Sequence, residues 1–150
     1  MKKLHLFVLA LGSLLLASCA SVPMASSSAD AEAKQFTPQP GRASIYVTRG
    51  FGVGSALVFQ TILDGRIAGA LAPNTYQLLS VSPGQHTLIV SATENVQQTT
   101  LTVQPGRNYF VEVSVSMGFI SGHANIQSIS DTQGRSQVLS SKRAAATTYQ

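Results

Sequence analysis

The sequence predicts an all-β fold, an antiparallel β-sandwich of about seven to eight strands, and three observations predict it. From Ala43 onward apolar and polar residues alternate with period two. Turn signals rich in Gly, Pro, Asn and Asp recur about every ten residues, the spacing of short strands in a sandwich or barrel. No stretch with helical period competes. The 150 residues, less a leader of 18, suit one domain. A hydrophobic content of 44% against 11% charged residues allows a packed core and excludes a disordered chain.

Met1 to Lys3 is a charged start and Leu4 to Leu16 an apolar run of 13 residues, interrupted by His5, Gly12 and Ser13. Such a run is too short to cross a bilayer core, which needs about 20 apolar residues, so it reads as a cleaved signal peptide over residues 1–18. Leu16-Ala17-Ser18-Cys19 closes it with the sole cysteine of the chain. This stretch resembles a bacterial lipobox, which implies that Cys19 becomes the acylated first residue and holds the protein to a lipid bilayer. By the same resemblance, Ala20 in place of an aspartate implies outer-membrane delivery, with the domain in the periplasm. Residues 19–41 are rich in Ser, Ala and Pro without a periodic apolar face, and are expected to form a lipidated flexible tether. A short helix over Glu32–Phe36, docked through Phe36, is the alternative.

Within the sandwich, expected over residues 42–130, strands are predicted at Ala43–Arg49, Ala56–Leu63, Arg66–Leu71, Thr75–Val81, Gln85–Ala92, Gln97–Val103, Asn108–Ser116 and His123–Ser128. Asp64-Gly65 is a two-residue hairpin turn, because both residues tolerate positive φ. Ser82-Pro83-Gly84 and Gln104-Pro105-Gly106 are turns in which proline presets one φ and glycine supplies the reversal. Alternation sends His86, Leu88, Val90 and Ala92 inward, and likewise Tyr109, Val111, Val113 and Val115, leaving Phe110 and Glu112 outward. Ala56–Leu63 is apolar on both parities, which predicts a central strand partly covered on its second face. The tail 131–150 loses alternation. Gln137-Val138-Leu139 is expected to add an edge strand or a helical turn, and Ala144–Gln150 to fray.

Ile45-Tyr46-Val47-Thr48-Arg49, Leu63-Asp64-Gly65-Arg66-Ile67-Ala68-Gly69, Asn74-Thr75-Tyr76, Pro83-Gly84-Gln85-His86-Thr87 and Pro105-Gly106-Arg107-Asn108-Tyr109-Phe110-Val111 together resemble the bacterial lipoprotein family known as domain of unknown function 2846. The Pro-Gly-x-His corner is also similar to that of PEGA-type sandwiches. The resemblance implies an immunoglobulin-like or PEGA-like envelope lipoprotein and brings no activity with it.

Removal of Lys2 and Lys3 leaves eight basic and six acidic side chains, and the arginines are scattered rather than clustered, which argues against nucleic acid. Antiparallel strands alternate in direction, so the three tight turns share one end with the start of the first strand. The opposite end gathers the loops 50–55, 72–74, 93–95 and 117–122. Phe51, Val53, Met117, Phe119 and Ile120 on those loops are therefore candidate contact residues, expected to face away from the membrane. Gly50–Gly54 lacks the lysine and following helix of a phosphate loop. His86 and His123 lack ligand spacing with Glu94 or Glu112, so no metal is expected, nor any cofactor. Arg49 is expected to pair with Asp64 or Glu112 at a strand end. No serine sits in a nucleophile elbow, so no enzyme is expected. The function expected is a non-catalytic binding or scaffolding module of the bacterial envelope with a protein partner. A structural subunit of a larger envelope assembly, or a glycan- or peptide-binding periplasmic module, is the alternative.

Overall fold

A computed structural model describes residues 21–50, 52, 54, 56–117 and 122–147. Among them are strands β1 (Ala43–Arg49), β2 (Phe59–Leu63), β3 (Arg66–Leu71), β4 (Thr75–Val81), β5 (Gly84–Ser91), β6 (Val96–Val103), β7 (Asn108–Met117), β8 (Gly122–Ile129) and β9 (Lys142–Arg143). Helices α1 (Ser27–Ala33) and α2 (Asp131–Ser140) flank the predicted sandwich in sequence. One sheet has the order β8-β7-β1-β4-β9 and the other β3-β2-β5-β6, so the chain is an all-β sandwich. Two neighbouring pairs are parallel, β1 with β7 and β4 with β9. The first follows from the alternation of direction itself, since two odd-numbered strands run the same way. The second arises because α2 carries the chain back before β9.

The core lies between the sheets, where Ile45, Val47, Phe59, Leu71, Leu88, Val90 and Val111 are almost wholly buried. The predicted inward set of β5 holds, with His86, Leu88 and Val90 buried. Asp64 and Gly65 both take positive φ, as the hairpin requires. Three expectations need correction. The strand predicted over Ala56–Leu63 is central in its sheet with Ile62 half-buried on its second face, as expected, but it begins only at Phe59, and Val58 ahead of it is 42% exposed; the strand buried at all seven residues is β1. Phe110, expected outward to solvent, is buried beneath α2. There Gly134 lies against its ring, and a Cβ at that position would collide with it.

The third correction concerns both termini. The expected tether is docked from Pro23 onward: Ala145 N donates to Pro23 O, Met24 bridges Ala144, and α1 seats on the five-stranded sheet. Aromatic packing supplies the reason, because Phe36 closes on Tyr46 and Phe110 with ring centroids 5.4 and 6.1 Å apart. Asp30 supplies the polar staple. Its Oδ1 accepts from Tyr76 Oη at 2.8 Å and Arg143 N at 3.0 Å, and its Oδ2 from Lys34 Nζ at 2.8 Å. Burial pushes the Asp30 carboxyl upward, but these bonds outweigh it and hold the group below its ordinary value. Burial also raises the Tyr46 phenol to about 12 and Tyr76 further, so both remain neutral donors. The tail is likewise part of the fold. Val138 and Ala144 are fully buried, and Ala146 bridges Gly69.

Candidate functional site

The register places the two ends of the sandwich as parity predicts. Ala43 pairs with Val81 and Arg49 with Thr75, and β7 runs parallel to β1 from Asn108 beside Ser44. The three tight turns therefore share one end, where Gly106 N donates to Arg42 O and Thr87 N to Asp64 Oδ1, both at 2.8 Å. At the other end the stems of the 50–56 and 117–122 loops meet. A Cβ on Gly54 would stand 3.0 Å from Val115 and 3.1 Å from Leu57, and a Cβ on Gly122 would overlap the same two side chains. Glycine at both stems permits this approach. The 93–95 loop is tied to them by Asn95, whose Nδ2 donates to Ala124 O at 2.8 Å and whose Oδ1 accepts from Ala124 N at 2.9 Å. Met117 stands 80% exposed at this end. Phe51, Val53, Phe119 and Ile120 lie outside the described residues, as does Cys19.

Arg49 does not pair with Asp64 or Glu112. It is only 2% exposed, and its guanidinium donates to three carbonyl oxygens, Leu57 at 2.6 Å, Gly54 at 2.8 Å and Leu71 at 3.0 Å, while lying 4.3 Å from the Phe59 ring centroid. Desolvation lowers its pKa to about 10, which leaves it charged at neutral pH. Arg49 thus clamps the base of the glycine loop to the end of β3. The carboxylates have other tasks: Glu112 accepts from Gln127 and Gln137, and Asp64 from His86 Nδ1 at 2.6 Å and Thr87 N. Burial raises the Asp64 carboxyl less than its bonds to His86 and Thr87 lower it, so its value falls.

The two histidines sit at opposite ends and cannot share a ligand. His86 Nε2 lies 2.8 Å from Ser82 O, so both ring nitrogens are engaged and neither faces a substrate. His123 Nε2 meets Glu94 Oε2 at 2.9 Å. A cleft of about 340 Å³ beside His86 and Asp64 is bordered by Arg42 and Arg66.

The sequence reading missed a larger cleft, of about 620 Å³, on the outer face of the five-stranded sheet. Its floor is made of two cross-strand pairs, Ser44 with Ser80 and Tyr46 with Leu78. Arg42 and Arg143 border it. Arg143 lies in a tail where structure is expected only at Gln137-Val138-Leu139, so no spacing in the sequence could bring it to Arg42.

Residues 39–125 match the family described as "Protein of unknown function (DUF2846)". The chain belongs to this family. The DUF2846 match spans β1 to β7 and runs into β8, leaving α1, α2 and β9 outside it. A protein of Haemophilus influenzae, named only as uncharacterized, is 29% identical over 126 residues, covering 83% of this chain and 75% of its own length.

Proposed function

We propose that this DUF2846 protein is a lipoprotein of the bacterial envelope. It is held to the membrane through acylated Cys19, sits at the outer membrane facing the periplasm, and works as a non-catalytic binding or scaffolding module. The observation that carries the reading is the convergence of the Gly54 and Gly122 stems on Val115 and Leu57. It brings the stems at Gly54 and Gly122 together on one end of the sandwich, where Met117 is exposed. Loops on a braced scaffold are common recognition surfaces, and Arg49 and Asn95 supply the bracing.

The docked arm alters the orientation expected from a flexible tether over residues 19–41. Only Cys19 to Val22 precede the paired Pro23, a span of about 14 Å when extended. Pro23 pairs beside Ala144 and Ala145, on the flank that carries β9. The flank of the sandwich thus lies toward the lipid, and the end that carries Gly54, Met117 and Gly122 is turned along the membrane rather than away from it. A partner reached through that end is itself at the membrane surface.

The test is photo-crosslinking in cells from positions 51, 117 and 119, with position 100 on β6 as control. The reading predicts that the three loop positions capture one common protein that position 100 does not. Capture confined to position 100, or different products from each loop position, would contradict it.

A further inference from the structure

We propose that the 620 Å³ cleft between Arg42 and Arg143 binds a small ligand through an oxyanion. The site lies away from the glycine loops and does not depend on the reading given above.

The contrast between two arginines carries the argument. The Arg49 guanidinium is closed off by three carbonyl oxygens and an aromatic face. Among the described residues Arg143 makes one side-chain hydrogen bond, from Nη1 to Ala29 O at 2.9 Å, and its buried Nε has no acceptor. A guanidinium carries five N–H donors, and a buried donor without an acceptor costs about 1–3 kcal/mol. The fold nevertheless fixes this group in a cleft wall. Arg143 N is held by Asp30 Oδ1, and β9 is registered on Tyr76.

Across the cleft, Arg42 is equally fixed. Its Nε donates to Ser80 Oγ at 2.8 Å and its Nη2 to Ser80 O at 2.7 Å. The two arginines outweigh Glu32 in the lining, which leaves a positive balance. Below them lie the hydroxyls of Ser44 and Ser80, with Tyr46 and Leu78 as an apolar patch. The volume falls within the range of about 300–1,000 Å³ usual for small-molecule sites. Guanidinium groups match the planar fork of a carboxylate or the face of a phosphate, and an oxyanion in the cleft would accept from the Arg143 guanidinium beside its bond to Ala29 O. The oxyanion could belong to a soluble solute or to a phospholipid headgroup. The chemistry is the same.

The experiment is a thermal-unfolding titration of the full chain in detergent micelles at constant ionic strength, with sodium chloride replaced stepwise by inorganic phosphate. A second arm adds dihexanoylphosphatidylglycerol below its micellar concentration. A ligand that binds the folded state alone raises Tm in a saturable way. The wild type should saturate with at least one of the two probes. Saturation by phosphate identifies a soluble oxyanion as sufficient, and saturation by the phospholipid alone identifies the headgroup. Arg143→Gln should weaken the response by about tenfold, the loss of a charge-assisted contact. Thr147→Glu adds a negative charge to an exposed lining residue without removing a bond of the arm, so it tests the site even where Arg143→Gln unfolds. It should weaken binding as well. Thr100→Glu, which adds the same charge at an exposed position of β6 in the other sheet, should leave binding unchanged. No saturable shift with either probe, or equal losses from Thr100→Glu and Thr147→Glu, would overturn the proposal.

Discussion

Asp30→Ala should release the N-terminal arm. The carboxylate joins three parts of the chain: Lys34 on the arm itself, Tyr76 on β4 and the backbone of Arg143 on β9. Tyr76 is fully buried, so its hydroxyl keeps only the longer contact to Asp30 O at 3.4 Å once the side chain is gone. Stranding a buried donor costs about 1–3 kcal/mol, and two donors are stranded, Tyr76 Oη and Arg143 N. The Lys34 pair is about one-fifth exposed on each side and adds little beyond this. The expected loss is about 3 kcal/mol, in the lower part of the sum of about 2–6 kcal/mol because Tyr76 Oη keeps its contact to Asp30 O. With a urea m-value of about 1.5 kcal/mol/M, the unfolding midpoint should fall by about 2 M. Asp30→Asn keeps an oxygen for Tyr76 and Arg143, so its loss should be nearer about 1 kcal/mol. Urea unfolding followed by circular dichroism measures both. A midpoint for Asp30→Ala within about 0.3 M of wild type would refute the docking argument, because that shift is below about 0.5 kcal/mol.

Arg49→Met should cost about 3–4 kcal/mol, since it leaves three carbonyl oxygens without their donor, and hydrogen exchange at Leu57 should rise with it. Arg49→Lys, which keeps the charge but not the fork, should fall between this variant and wild type in the same urea assay. Stability should also decline in acid. Asp30 and Asp64 have folded values below 3.8, so their contribution is complete above the unfolded value and is lost as pH falls through the folded one. Unfolding midpoints should drop below about pH 4, and Asp64→Asn should make that drop shallower. An acid profile unchanged in the variant would contradict the Asp64–His86 assignment.

The strands were legible because burial on one face leaves a period of two in the sequence. Seven of the eight predicted strands begin and end within one residue of their observed positions, and the shared end of the three tight turns followed from parity alone. The departures have physical causes. Helix α1 reads Ser-Ser-Ala-Asp-Ala-Glu-Ala, with Ala33 its one buried residue, so no apolar stripe announces it. It is held by Asp30 and by Phe36 beyond its end. Helix α2 buries only Gly134 and Val138, and a glycine in mid-helix ordinarily argues against a helix. Here the glycine makes room for Phe110. A signal was present in Ser130 and Gln133, spaced as a capping box, and Ser130 Oγ does accept from Gln133 N. Arg49 was misread because its partners are backbone carbonyls, which carry no residue-type signature. The Arg42–Arg143 cleft joins positions about a hundred residues apart through a two-residue strand, beyond the reach of local pattern.

The claim on which the functional account rests is the acylation of Cys19. Metabolic labelling of the full chain with radioactive palmitate, beside Cys19→Ser, tests it most directly. The account predicts label in the processed wild type, and in the variant an unlabelled, unprocessed precursor that fails to reach the outer membrane. Unlabelled wild type, or a Cys19→Ser protein that is processed and recovered in the outer membrane like wild type, would contradict it.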